Sequence, residues 1–390
     1  MDFTFTDSQQ AIAELAGTIL AERCPPEVLR ELERDHRTAT EAWKALAGAD
    51  LLGLWVPEDA GGSGLGLLEA CLVAEQVGRH VALVPYWPTA LAAAAIARWA
   101  SGAARDRWLP GAVDGTGPLA VALWEPGVLG MSGAPESGAQ AAPDVGAPTT
   151  VARPDGDGWT LTGRKSPVPW GRDAAAVLVP ARVADTADVV LVAVAPDTPG
   201  VERLEERPVS GEPTATLVLD RARVGADAVL AAPADGAAAL AWLRRRATAL
   251  LSATALGVTE GALALTARHV TEREQFGSPI GTFQAVAHRC ADSYIDTEAI
   301  RLTTWQAAWR LDADLPADEA LDIAAFWVAE GGQRVVHAAQ HLHGGIGVDV
   351  DYPVHRYFRW AKVLELLVGG ATGSLLRLGR ALSAARAGGA

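Results

Sequence analysis

What most constrains this chain is that its hydrophobic pattern changes character twice. From residue 1 to about 115 the apolar residues fall at helical spacing. In "SQQAIAELAGTILAERC", Ile12, Leu15, Ile19 and Leu20 recur on one helix face, with Asp7 or Ser8 expected as N-cap. "ATEAWKALAGADLLGLWV" and "LLEACLVAEQVGRHVA" repeat the pattern around a glycine-rich turn, "PEDAGGSGLG". From 116 to about 230 the pattern becomes short, β-branched runs punctuated by Gly, Pro and Asp: "LAVALW", "TTVARPD", "GWTLTGRK", "AAVLVPARV", "VVLVAVAP" and "ATLVLDRARV". From 231 to 390 long helical stretches return, among them "AAALAWLRRRATALLSATALGVTEGALALTARHVTER". The order predicts an α+β multidomain chain: helices at 1–115, a β domain at 116–230 and helices at 231–390. The segment "GVLGMSGAPESGAQAAPDVGAPT" is expected to be a long, mobile loop inside the β region.

Composition narrows the partners. With 49% apolar and 21% charged residues, the chain can bury a substantial core. Asp and Glu outnumber Lys and Arg by 47 to 33, a formal charge of -14 that repels phosphate backbones, so no nucleic-acid partner is expected. Local arginines can still hold a phosphate-bearing cofactor. The three cysteines, Cys24, Cys71 and Cys290, lie far apart without CxxC spacing, which argues against a zinc site or a disulfide framework and fits a reducing, cytoplasmic setting. "MDFTFTDSQQ" has no basic region leading into an apolar run, so no signal peptide is expected. Apolar runs such as "ALVPYWPTALAAAAIARWA" contain Pro and Arg and read as buried helices, with no membrane partner expected.

Two motifs then stand out: "REQFGSPIGTFQ" at 273–284 and "HLHGGIGVDVDYPVHRYFRWAK" at 341–362. Together, in this order, and with "MDFTFTDSQQ" and "LLGLWVPEDAGGSGL" upstream, they resemble the acyl-CoA dehydrogenase family over nearly the whole chain. The resemblance implies an N-terminal helical domain, a middle β-barrel-like domain, a C-terminal four-helix bundle, FAD, and a tetramer of paired dimers. It implies a reaction in which a carboxylate removes the α-proton of an acyl thioester, carried by CoA or an acyl-carrier protein, while the β-hydrogen leaves as hydride to the flavin. It also implies that a subunit grips its neighbour's FAD. Arg273, Phe276, Gln284, Gly344 and Gly345 match those positions, and His341 stands where the family has Gln, the nearest Gln being Gln340. An Arg supplies planar charge-assisted donors to a pyrophosphate, and glycines admit close backbone approach. The plain structural alternative is that Arg273 caps a helix, Gly344–Gly345 is a simple turn, and His343 is a satisfied core histidine.

The positions serving the subunit's own flavin depart from the family. "LWEPGVLGMSG" has Trp124 where the family has Thr and lacks its Gly-Ser-Asp, and "SPVPWG" puts Pro167, Val168 and Pro169 where the family has a hydroxyl near the flavin edge. In "KVLELLVGGATGS", an apolar helix ending on two glycines, the family's catalytic Glu falls on Val368. The family's other base position falls at or near Ala247. Glu365, three residues before Val368 on roughly the same face, is the candidate substitute, with Glu260 a weaker one. "LRRR" at 243–246 reads either as a solvated or subunit-facing face or as a contact to a CoA phosphate. The pattern is that of a subunit lacking its own base and completing the FAD site of a homologous partner in a heterotetramer, similar to actinobacterial α2β2 enzymes. A self-sufficient homomeric enzyme and a non-redox scaffold on the same fold remain as alternatives.

Overall fold

The computed structural model describes residues 4–100, 102–126 and 148–388. The Gly/Ala/Pro/Ser-rich segment expected as a mobile loop falls on 127–147, outside the described residues. Six helices come first: α1 (Asp7–Arg23), α2 (Pro26–Arg34), α3 (Thr40–Gly48), α4 (Leu67–Arg79), α5 (Tyr86–Trp99) and α6 (Ala103–Val113). Eight strands follow among the described residues: β1 (Leu119–Val121), β2 (Val151–Asp155), β3 (Gly158–Val168), β4 (Ala176–Val183), β5 (Val189–Val194), β6 (Val201–Glu206), β7 (Thr214–Val224) and β8 (Val229–Ala231). Helix α7 (Pro233–Glu272), a short hairpin of β9 (Glu274–Gln275) and β10 (Ser278–Pro279), and helices α8 (Gln284–Asp312), α9 (Asp318–His343), α10 (Val354–Leu367) and α11 (Gly370–Gly388) complete the chain.

The chain forms two compact units. One contains residues Met1–Asp35, Leu67–Leu83 and Thr248–Ala390; the other contains His36–Gly66 and Val84–Ala247. The helices of the first 115 residues are thus shared out: α1, α2 and α4 belong to the first unit, and α3, α5 and α6 to the second. Helix α7 runs from one unit into the other. It is long and apolar enough to cross a membrane, but 78% of its most apolar window is buried within the protein, as in a core helix.

The second unit is built on one eight-stranded sheet, ordered β6-β7-β3-β2-β4-β5-β8, with β1 pairing β4 in parallel. Strands β4 and β5 are buried almost throughout, which their near-continuous Val, Leu and Ala runs require. Their Val177, Val179, Val190 and Val192 share one core with Leu217 and Leu219 of β7. Strand β6, "VERLEE", was absent from the sequence reading. It is an edge strand, and its charged, solvent-facing side chains blunt that edge and hide its β character.

In the first unit, α1 is capped by Thr6 instead of Asp7 or Ser8. The Thr6 hydroxyl accepts from Gln9 N at 3.2 Å, and the Gln9 side chain accepts from Thr6 N at 3.0 Å. Helices α4 and α7 cross at glycines: a Cβ on Gly78 would lie 1.9 Å from Thr254 O, and one on Gly257 1.8 Å from Glu75 O. Asp318 and Glu319 open α9, as the helix dipole favours. Arg334 of α9 donates two hydrogen bonds to Asp296 of α8, at 2.8 and 2.6 Å, locking these neighbours in register. Helix α10 stops where the sequence places two glycines: Gly369 and Gly370 have φ of 90° and 72°, conformations that side chains resist, and α11 begins.

Candidate functional site

The motif at 273–284 forms a presented hairpin in the first unit. Arg273 N closes the end of α7 on His269 O at 2.9 Å, and Arg273 O accepts from Ile280 N at 2.8 Å. Between them, β9 and β10 are joined by Phe276 and Gly277, with φ of 54° and 80°. Two left-handed residues at a two-residue loop match the twist of the strands. Gly277 adopts this freely, whereas a phenylalanine there is strained. The strained residue is also 96% exposed, so neither backbone preference nor burial explains its place within the chain. Phe283 meets it edge-on, with ring centroids 6.2 Å apart, and Gln284 follows, exposed, as the first residue of α8. Arg273 is exposed and forms no ion pair among the described residues.

The second motif forms the turn after α9. Gly344 (φ 59°) and Gly345 are exposed, and a Cβ on either would meet nothing within 4 Å. His341 is exposed on the last turn of α9. Gln340 is turned inward, its amide donating to Gly347 O, so the neighbouring glutamine is already engaged within the chain. His343 is buried, with Nδ1 2.8 Å from Ala339 O, and its ring stacks on His269 at 4.3 Å and 24°. Tyr352 packs against both imidazoles. Ile346, Val348 and Val350 beyond the turn are 41%, 75% and 68% exposed, an apolar edge beside the glycines. Sequence reasoning brought forward Arg273, Phe276, Gln284, His341, Gly344 and Gly345. It did not find His269, whose place one helical turn before Arg273 was the available signal.

At the end of α10, Val368 is buried and its N–H bonds Leu364 O at 3.0 Å. Glu365 accepts from Lys362 Nζ at 2.6 Å, and Lys362 also reaches Gln333 at 3.2 Å. Ala247, on α7, is 2% exposed. Glu260 is buried and held by Arg301 at 2.5 Å and Arg79 at 3.6 Å. Burial, and then the charge of Glu260, push the neighbouring Glu75 up to about 8, so Glu75 is largely protonated at neutral pH in an ion cluster that joins α4, α7 and α8.

In the second unit, the residues that the sequence sets against the family's flavin-lining positions are packed inward. Trp124 is buried edge-on to Trp87 at 6.2 Å. Val168 is fully buried, and Trp170 (φ 61°) is 2% exposed. Beside them, Glu125 is a hub. Its carboxylate accepts from Lys165 Nζ at 2.7 Å and from the N–H and hydroxyl of both Thr149 and Thr150 at 2.6 to 2.9 Å. Burial alone would raise its pKa; the Lys165 charge and these donors overcome that and hold it at about 2. Burial lowers Lys165 to about 8 against the pull of Glu125, so both groups are charged at neutral pH. The "LRRR" cluster is not a uniform solvated face. Arg244 is half-buried within the field of Glu125, and Arg246 lies 4.4 Å over the Trp242 ring, which stacks on Trp55 at 5.3 Å.

Comparison with known proteins decides the family. Residues 6–116 match the acyl-CoA dehydrogenase N-terminal domain, and residues 235–382 match the acyl-CoA dehydrogenase C-terminal domain. The acyl-CoA dehydrogenase FadE27 of Mycobacterium tuberculosis is 41% identical, covering 98% of this chain and 99% of the relative. The chain belongs to the acyl-CoA dehydrogenase family. Among solved structures, the ChsE4–ChsE5 complex from Mycobacterium tuberculosis matches with a TM-score of 0.89 and 40% identity over 98% of this chain and 99% of that one. A variant of the Tcur3481–Tcur3483 steroid ACAD matches with a TM-score of 0.86 and 42% identity over the same shares. The family is one of flavin-dependent oxidoreductases that use FAD. The first unit's hairpin and turn fit such a group: an exposed guanidinium for a diphosphate, an exposed aromatic ring, and two glycines with open space above them. The buried Val168 and the prolines around it in the second unit offer a flavin edge neither a hydroxyl nor a cradle.

Proposed function

We propose that this chain is the subunit of a heteromeric acyl-CoA dehydrogenase that lacks its own catalytic base and completes the FAD site of a homologous partner. The observation that carries the reading is the exposed Arg273–Phe276 hairpin, strained at Phe276 and without an ion pair at Arg273 among the described residues. Its contrast is the buried Val368 where a proton acceptor is needed. FAD supplies the hydride acceptor for α,β-desaturation of an acyl thioester. This chain's part is to bind and orient: Arg273 offsets diphosphate charge, Phe276 covers a ring face from water, Gln284 and His341 offer polar contacts, and Gly344–Gly345 let the backbone approach closely. The partner supplies the carboxylate that takes the α-proton. The resemblance to a steroid ACAD and to a two-component complex supports a heterotetramer with one FAD per pair of chains and a bulky, sterol-like acyl group as substrate, in the cytoplasm.

Flavin stoichiometry tests this. Purified alone, the chain is expected to be colourless; co-expressed with a related dehydrogenase subunit, it should carry about one FAD per two chains. One FAD per chain in the protein alone would overturn the reading, and a complex that stays colourless with every partner would favour a scaffold.

Glu365 is the one acid close in sequence to the vacant base position, and its ion pair with Lys362 already occupies it. Glu365→Gln in the complex should keep turnover within about twofold. Its stability cost should be small, about 0.5 kcal/mol, as for a partly exposed pair. A loss of turnover near the ~10²- to 10⁴-fold expected of a general base would restore the homomeric alternative.

A further inference from the structure

The hairpin and the glycine turn lie far apart in the chain, yet a site made from both needs them held in a fixed relation. Among the described residues, no hydrogen bond or ion pair joins residues 273–280 to residues 344–348. What links them is the imidazole pair. His269 lies one turn before Arg273 on α7, and its carbonyl accepts the Arg273 N–H. His343 immediately precedes Gly344 on α9, and its ring is fixed by Nδ1–H donating to Ala339 O. The rings stack at 4.3 Å and 24°, and Tyr352 closes the cluster with centroids 5.2 Å from His343 and 6.3 Å from His269.

We propose that His269 and His343 are positioning residues whose stacked rings hold the Arg273 hairpin against the Gly344–Gly345 turn, and so set how firmly the site grips a diphosphate-bearing dinucleotide. The inference rests on the proposed role of the site in completing a partner's FAD pocket. A ring on each side is what the link requires; a hydrogen-bonding imidazole at 269 is not.

The stack also predicts an acid limb. The charged groups acting on the pair are Glu272 at the end of α7 and Arg273, which follows it. Arg268 and Glu272 act on Tyr352, from the segment before α10, while α9 contributes His343 itself. Burial lowers both imidazoles. The Arg273 charge lowers His269 further, and the neighbouring His269 opposes protonation of His343. Groups lowered on folding contribute fully above the ordinary histidine value of about 6.5, and that contribution is lost as pH falls through the lowered values. Protonating both would set two cations 4.3 Å apart and open the stack.

The test uses the co-purified complex with His269→Ala and His269→Phe variants, and reads FAD retained after gel filtration together with complex size and melting midpoint. The alanine variant should assemble normally but bind FAD at least about 10-fold more weakly, as expected when a positioning contact is lost. The phenylalanine variant should hold FAD within about twofold of wild type, and should flatten the acid-induced release expected of wild type below about pH 6.5. Wild-type retention by the alanine variant, or release by the phenylalanine variant equal to that by alanine, overturns the proposal. If His269→Ala disrupts assembly, His269→Phe decides it alone: FAD held within about twofold of wild type supports the stack, and FAD released overturns it. A wild-type complex that assembles without FAD sinks the functional reading and this proposal together, and is recognised before any variant is made.

Discussion

Lys165→Met should lower the stability of the β-sheet unit by about 3–5 kcal/mol, the range for breaking a buried ion pair from one side. The side chains of Lys165 and Glu125 are 1% and 6% exposed, and removing the ammonium leaves an interior carboxylate hydrogen-bonded by the neutral Thr149 and Thr150, with the Arg244 charge also acting on it. The Coulomb term is not what makes the loss large. The cost is the desolvation of Glu125, which Lys165 now offsets. Urea denaturation followed by far-UV circular dichroism should show the transition midpoint falling. A Lys165→Met/Glu125→Leu double variant should recover part of the loss, because it removes both buried charges. An unchanged midpoint in the single variant would contradict the described hub. The pH dependence has a definite sign. Glu125 is held at about 2 against an ordinary value of 4.5, so its contribution is complete above the ordinary value and is lost as pH falls towards 2. Glu125→Gln should therefore flatten the acid limb of the stability profile between those values.

Arg273→Ala should weaken FAD binding by the co-purified complex about 10- to 100-fold, the scale of one charge-assisted contact to a phosphate. Because Arg273 is exposed and without an ion pair among the described residues, the melting midpoint of the isolated chain should move by no more than about 1 °C, as for an ordinary surface change. Arg273→Lys should rescue only part of the binding, since an ammonium cannot reproduce a planar two-pronged contact. Equilibrium dialysis against free FAD, with the melting curve of the chain alone as control, separates a lost contact from a lost fold. Full FAD retention by the alanine variant would remove the hairpin from the site.

Much of this was legible in the sequence. The helix–sheet–helix order, the end of α10 at Gly369–Gly370 and the motif at 273–284 were read from residues in a row. Each depends on a local property: periodicity, a left-handed backbone, or the chemistry of one side chain. Strand β6 and the Thr6 cap escaped for local reasons as well, since a charged edge strand lacks the apolar alternation and three adjacent polar residues compete to cap α1. Tertiary structure decided what required residues from distant segments to meet. Glu125 finds Lys165 only because β3 runs through the sheet core, and His269 finds His343 only because α7 and α9 end side by side. Glu365 read in the sequence first as an ion-pair partner and only second as a substitute base, and its position beside Lys362 commits it to the pair. The sequence by itself determined the order of helical and β regions and the family's motifs, because these follow from near neighbours along the chain. Only the tertiary structure decided which charges are buried together, which ring is left exposed at a strained turn and which histidines stack, because desolvation and contact depend on neighbours in space.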